Sequence, residues 1–281
     1  MAKPVVSVVI PTRGRAEYLE VALASLARQD LDQPYEVIVV DDGSTDRTPQ
    51  VVKAAGVRSL RHERRRTLNA ARNSGAGAAG ADLIAFTDDD VEAPASWLRE
   101  LVEGAARHPE AEAFGGPIRA RLEGSAPRGC GREPPPLTTL DLGPDDREAA
   151  RVWGANMAVR RSALERVRAF DESIVRPHGD EEEWIERLQA AGGTVVYLAR
   201  AGLDHRRAGR DLRLRSLARA AYVRGRAARA SDRRRHAAPS LGRELRVLAG
   251  CGWHTVRRAC PQGVIMGAHS AGRLAEAVRP R

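Results

Sequence analysis

Phe86-Thr87-Asp88-Asp89-Asp90 closes an apolar run with three successive carboxylates. Leu83 to Phe86 reads as a short buried strand, entered through Gly80-Ala81-Asp82. Adjacent carboxylates repel one another unless a cation sits among them. Hard oxygen donors suit Mg²⁺ or Mn²⁺, above all where phosphate oxygens complete the shell. The carboxyl edge of the strands in an open α/β sheet is also where ligands bind. A structural role is open to the same residues, with Asp90 capping a helix that starts near Ala93 or Pro94.

The elements that must position this cluster are legible upstream. Val5 to Ile10 is an almost unbroken apolar run, as a strand buried on both faces requires. It ends in Pro11-Thr12-Arg13-Gly14-Arg15, after which Tyr18, Leu19, Ala22, Leu23 and Leu26 recur at helical spacing. Glu36 to Val40 forms a second buried strand, closing on Asp41-Asp42-Gly43-Ser44. Strand, helix and strand in that order imply parallel pairing through a right-handed crossover. Both strands then deliver polar residues to the edge that carries the acid triplet.

With these segments, Ala71-Arg72-Asn73-Ser74-Gly75, Gly154-Ala155-Asn156-Met157-Ala158, Phe170-Asp171-Glu172 and Gly179-Asp180-Glu181-Glu182-Glu183-Trp184 complete an ordered set over about residues 5 to 205. In that order and spacing the sequence resembles a family 2 glycosyltransferase of the GT-A fold. The resemblance implies an α/β catalytic domain over 1–205 and a nucleotide-sugar donor, UDP-linked in preference. It also implies Mg²⁺ or Mn²⁺ and inversion at the transferred sugar.

Residue by residue, the resemblance places Pro11, Asp42, Arg72, Asp88 and Asp89 around the nucleotide, with Asp42 accepting the imide proton of a uracil. Asp-Gly-Ser is equally a good turn in its own right. Asp90 becomes the direct metal ligand, with Asp88 on the ribose or a metal-bound water and His205 as a further ligand; a lone histidine also fits a structural site. Counting back from Arg187, Glu181 takes the position of the general base, and Asp180 stays a competitor because the two acids are swapped relative to the common pattern. A helix N-terminus rich in acids is the structural counterpart of this reading. Trp153, Asn156 and Trp184 fall on the acceptor side, where Trp153 would stack on a sugar face, although burial explains a large aromatic as well.

Gly115 to Arg151, with Pro134-Pro135-Pro136 at its centre, shows no apolar period and is expected to form a long acceptor-side loop. Residues 206–281 carry 19 arginines against four acids, +15 of a total of +9, which leaves −6 for residues 1–205. Apolar stripes there (Leu214, Leu217, Ala221; Leu241, Leu245, Leu248, Val256; Val264, Ile265, Ala268, Leu274) predict a basic helical appendage broken near Pro239, Gly242, Pro261 and Gly263. An anionic membrane surface suits such a region, as does a plain solvated face. With few aromatics and no zinc-finger spacing, nucleic acid is not an expected partner.

Cys130, Cys251 and Cys260 lack metal-site spacing and fit a reducing cytosol. The N-terminus enters a strand at once, without a signal-peptide pattern, so a cytoplasmic protein, peripheral on the inner membrane face, is expected. Two rival readings remain. A nucleotidyltransferase would need a Gly-rich phosphate loop after the first strand, for which Pro11 to Arg15 is a poor match. A non-catalytic binding protein would act through the basic tail and show no metal-dependent nucleotide affinity.

Overall fold

Val6–Thr12 (β1) is buried along its whole length and sits at the middle of the sheet, because apolar residues face outward on both of its sides. The computed structural model describes residues 2–125, 138–174 and 180–279, with Asp180 described by its backbone alone. From β1 the chain runs through α1 (Ala16–Leu26), β2 (Tyr35–Asp41), α2 (Thr48–Ala55), β3 (Arg58–Arg61), α3 (Leu68–Ala78) and β4 (Leu83–Thr87). The short β5 (Val91–Glu92), α4 (Trp97–Arg107), β6 (Ala113–Gly115), β7 (Ile118–Glu123) and β8 (Arg147–Glu148) follow. Then come β9 (Asn156–Arg160), α5 (Arg161–Val167), α6 (Asp180–Ala190), β10 (Val195–Tyr197) and β11 (Leu203–Ala208). The last three helices are α7 (Leu214–Arg234), α8 (Leu241–Arg258) and α9 (Pro261–Ala277).

The main sheet has the order β3-β2-β1-β4-β9-β6-β10-β8. β3, β2, β1 and β4 are parallel, and β9 runs antiparallel between β4 and β6. The chain therefore winds outward from β1 through β2 to β3, then returns to add β4 on the other side of β1. That reversal puts a topological switch point at the carboxyl ends of β1 and β4, the place where α/β sheets bind ligands. Register aligns Thr12 with Asp41 and Val9 with Phe86, so the segments after all three strands meet at one edge.

α3 locks this edge to the rest of the sheet. Its first turn is capped by Thr67, whose hydroxyl accepts from the Ala70 N–H. Gly75 lets the helix lie directly on β1: a Cβ there would sit 2.3 Å from Val9 Cγ1. Asn73 donates to the Phe170 carbonyl and accepts from its N–H, while Asn69 donates to the Asp171 carbonyl at 2.7 Å.

Three expectations are corrected. Gly115 to Arg151 is not a plain loop in its described parts: it contains β7, β8 and an Ile118–Leu140 bridge. The strand gives a weak sequence signal, because Ile118, Ala120 and Leu122 alternate with charged residues over only a short stretch; Pro134 to Pro136 lie outside the described residues. Asp90 does not cap a helix, since β5 follows it and α4 begins only at Trp97. Gly242 and Gly263 stand within the first turns of α8 and α9, while Pro239 and Pro261 mark the actual breaks.

Contacts divide the chain into two compact units, one ending at Arg206 and a second built around the helices after Arg207. In the second, Leu217, Ala221 and Ile265 make a small core between α7 and α9. Glu244 is buried in α8, within 2.6 Å of Arg273 Nε and 3.5 Å of Arg229, and Asp232 pairs with Arg273 at 2.7 Å. Part of the arginine excess is thus consumed internally. The stripe of Leu241, Leu245 and Val256 is exposed rather than packed. No helix among the described residues is long and apolar enough to cross a membrane.

Replacing Gly75 with alanine forces a methyl into Val9, and overpacking of this kind costs about 1–3 kcal/mol. Urea unfolding should show that loss, whereas Gly77→Ala, whose Cβ would meet nothing within 4 Å, should leave stability unchanged or raised.

Candidate active site

The acid triplet leaves β4 and turns inward. Asp89 and Asp90 are buried, and Asp88 is half-buried. Burial of like charges is tolerated here because positive groups arrive from two directions. Arg15, just after β1, sets Nη1 at 2.8 Å from Asp89 Oδ1 and Nη2 at 2.6 Å from Asp90 Oδ2. Thr12 donates its hydroxyl to Asp89 Oδ2 at 2.7 Å. From the other side, pairing of β11 with β5 matches His205 to Val91 and brings its Nε2 to 3.1 Å from Asp90 Oδ1.

These neighbours split the three carboxyls. Burial pushes Asp88 up, and the adjoining Asp90 adds to the shift. Burial also raises Asp89, to about 7, against the pull of Arg15. Asp90 pays the same burial penalty, yet Arg15 and His205 outweigh it and hold its carboxyl well below the usual range. Burial disfavours the His205 imidazolium, but Asp90 overrides it and raises the imidazole pKa.

Asp88, Asp90 and His205 can each offer one ligand atom, and these atoms lie within 4.8 Å of one another. Two observations fit them to a hard divalent cation. Asp90 Oδ1 is buried and, among the described residues, has no hydrogen-bond partner beyond the ion-pair contact with His205 Nε2. His205 Nδ1 is 3.3 Å from the Thr138 carbonyl, and the tautomer that donates there leaves a lone pair on Nε2. Two carboxylates and one imidazole are a donor set that Mn²⁺ or Mg²⁺ accepts.

Asp42 follows β2 and is also buried. Gly43 takes a φ of +75°, and its lack of a side chain lets the backbone of Arg65 pass within 3.2 Å of where a Cβ would stand. The Arg66 N–H consequently reaches Asp42 Oδ1 at 2.8 Å, and His62 Nδ1 meets the same oxygen at 2.8 Å. His62 Nε2 is held in turn by the Ser74 hydroxyl at 3.0 Å. One oxygen of Asp42 is thus saturated by the protein. Arg66 also pairs with Glu172 at 2.8 Å.

Arg72, on α3, is buried. Its guanidinium lies 5.6 Å from the Phe170 ring centroid and 3.8 Å from Glu181 Oε2, and its charge is felt at Asp88. Glu181, in the first turn of α6, is nearly buried, with Oε1 3.4 Å from the Gly154 N–H. Arg72 therefore stands between the acid triplet and Glu181. The side chain of Asp180 lies outside the described residues.

Two of the acceptor-side residues are corrected to core positions. Asn156 is fully buried, accepting from Trp97 Nε1 at 3.0 Å and donating to the Ala201 and Pro117 carbonyls. Trp184 is fully buried against Phe170 with its Nε1 on the Arg168 carbonyl, so neither presents a surface to a ligand. Trp153 is half-buried, with the Arg151 guanidinium 5.9 Å from its ring centroid. Pro11 is buried within β1. Arg187, the ruler for counting back to Glu181, pairs with Glu183 and binds the Val167, Arg168 and Ala169 carbonyls at the end of α5.

Arg15 and His62 were missed by sequence reasoning. Arg15 had a signal, standing just after a strand that ends at the acid edge. His62 had none, because β3 is too charged to announce itself as a strand. Changing His62 to alanine leaves Asp42 Oδ1 and the Ser74 hydroxyl short of a partner; unmade buried hydrogen bonds cost about 1–3 kcal/mol, and chemical denaturation should read a loss in that range.

A family model described as "Glycosyl transferase family 2" matches residues 7–168. The Validoxylamine A glucosyltransferase of Streptomyces hygroscopicus subsp. jinggangensis (strain 5008) is 31% identical over 220 residues, covering 67% of this chain and 52% of that protein. The Pre-mycofactocin glycosyltransferase of Mycobacterium tuberculosis (strain ATCC 25618 / H37Rv) is 33% identical over 236 residues, covering 79% and 47% respectively. The chain thus spans about half the length of the curated relatives it matches. Among solved structures, a mannosyltransferase from Pyrobaculum calidifontis in complex with GDP-Man and Mn²⁺ has a TM-score of 0.60 at 17% identity, covering 99% of this chain and 88% of that one. TarS 1-349 of S. aureus in complex with UDP-GlcNAc also gives 0.60, at 14% identity and with 97% and 91% covered. At such identities the likeness is one of fold, and the fold is that of the GT-A glycosyltransferases.

Proposed function

This chain belongs to glycosyl transferase family 2, and on that premise we propose that it moves one sugar from a nucleotide diphosphate donor to an acceptor hydroxyl, with inversion and with Mg²⁺ or Mn²⁺. The observation that carries this reading is the meeting of Asp88, Asp90 and His205 at the sheet's switch point, next to Arg72 and Glu181. Solved structures of similar fold hold GDP-Man with Mn²⁺ and UDP-GlcNAc, which supports a nucleotide-sugar donor.

In this reading Asp42 faces the nucleobase. With Oδ1 occupied by His62 and the Arg66 N–H, its second oxygen is the one left to accept an imide proton, which favours uracil. Asp88, Asp90 and His205 would hold the ion, which when bound supplies positive charge against the departing diphosphate. Arg72 orients Glu181 and adds a fixed charge beside Asp88. Glu181 takes the proton from the acceptor hydroxyl as that oxygen bonds to the anomeric carbon. The bond from carbon to the diphosphate oxygen breaks on the opposite face, its electron pair leaving with the diphosphate. Attack from behind inverts the centre in one step. Trp153, the acceptor-side aromatic that is not sealed in the core, is the platform for the acceptor. The basic region 206–281 serves as a peripheral seat on an anionic membrane surface at the cytoplasmic side.

A nucleotidyltransferase is the weaker alternative. The loop from Pro11 to Arg15 is drawn onto Asp89 and Asp90 through Arg15 rather than shaped as a phosphate cradle.

Thermal unfolding with Mn²⁺ and UDP, GDP or dTDP sugars tests the donor, with the UDP series expected to stabilise most. In the same assay Asp90→Ala should stay folded and lose metal-dependent stabilisation; undiminished affinity would sink the metal assignment. Glu181→Gln should keep donor binding and lose transfer by about a hundredfold or more, the usual size of general-base removal. If Asp180→Asn abolishes transfer and Glu181→Gln does not, the base is Asp180.

A further inference from the structure

We infer that α8 is the element that meets the membrane, lying along an anionic bilayer with one apolar strip inserted and an adjoining arginine strip on the headgroups. The inference rests on the peripheral reading of the C-terminal region and names the face responsible. Exposed large apolar side chains concentrate on this helix: Leu241 is 46% exposed, Leu245 56%, Trp253 70% and Val256 83%. Clusters of this kind mark interaction surfaces, whereas single exposed apolar residues do not.

Their spacing gives the cluster direction. At about 100° per residue, Leu241, Leu245, Ala249 and Val256 fall on one strip of α8, with Trp253 at its margin. Arg246, Arg257 and Arg243 occupy the next strip around. Glu244 and Cys251, buried and half-buried, lie roughly a third of a turn from the centre of the strip, with half-buried Leu248 between them and Leu241, while Val247, 47% exposed, stands apart from the strip on the far side of the helix. From Leu241 to Val256 the strip runs about 22 Å at 1.5 Å per residue. That is the layout of a helix lying in a membrane interface: an apolar arc, cations beside it, and an indole where the two meet.

Charge selects lipid over a protein partner. The only acid on α8, Glu244, points inward to Arg229 and Arg273, so the outward face bears arginines alone. A surface of uniform negative charge, with an apolar layer directly beneath it, satisfies both strips at once.

The test uses the full chain with vesicles of phosphatidylcholine, with and without phosphatidylglycerol. Trp97 and Trp184 are fully buried, so a change in tryptophan emission on mixing comes from exposed Trp253 or half-buried Trp153, and its loss in a Trp253→Phe variant assigns it to Trp253. The expected result is co-sedimentation with phosphatidylglycerol vesicles and a blue shift, both fading at high salt. Arg246→Glu should weaken partitioning by about fivefold or more, since each arginine near the headgroups is worth about 1 kcal/mol. Leu245→Glu with Val256→Glu should remove it by at least about tenfold while unfolding temperature and donor-induced stabilisation stay unchanged.

If the wild-type chain stays in the supernatant at low salt, both the peripheral reading and the role of α8 fall, and catalysis is untouched. If wild type and the double variant sediment equally, the membrane seat stands and α8 is not its contact. If the wild type ignores vesicles and self-associates, and the double variant is monomeric, a second copy covers the strip and the inference is overturned.

Discussion

Three carboxylates packed at the end of β4 are the constraint around which the catalytic half is arranged. Unpaired charges in a buried site cost several kcal/mol each, so the fold must bring compensation to them. It does so with Arg15 from the turn after β1, His205 from β11 and Arg72 from α3, three segments far apart in the chain. Each depends on a different pairing: β1 beside β4, β11 against β5, and α3 laid on β1 at Gly75. The arrangement divides the triplet into unlike members, with Asp90 ionised and Asp88 and Asp89 pushed upward.

Much of the catalytic half was legible because its strands are buried on both faces and so read as continuous apolar runs. β1, β2 and β4 follow from composition alone, and their order fixes parallel pairing. The acid edge follows from those strands, since their carboxyl ends must lie together. Asp88, Asp90, His205, Arg72 and Glu181 are brought to neighbouring positions in the structure. Whether a residue faces a ligand or the core was less legible. Trp184 and Asn156 belong to motifs that border the site, yet their polar atoms are bound internally, and such pairings between distant segments leave no trace in local spacing.

The C-terminal region shows the opposite pattern. Helical periodicity identified α7, α8 and α9, but periodicity reports only that one side of a helix is apolar. For α7 and α9 that side packs into a small core. For α8 the helix uses the side bearing Glu244 and Leu248 for packing, and its apolar strip faces away. A buried glutamate paired with two arginines is what sets this orientation, and sequence alone does not reveal such pairing.

The stitching of α3 to the segment after α5 carries one more implication. Asn69 and Asn73 hold the backbone at Phe170 and Asp171, Arg66 holds Glu172, and Arg72 on the same helix reaches Glu181. Ser74, also on α3, steadies His62 behind Asp42. One rigid rod is therefore in register with both the turn after β2 and the first turn of α6. A slip of that rod would carry the two ends together, so the spacing between them is inherited from a single piece of secondary structure and not negotiated by separate loops.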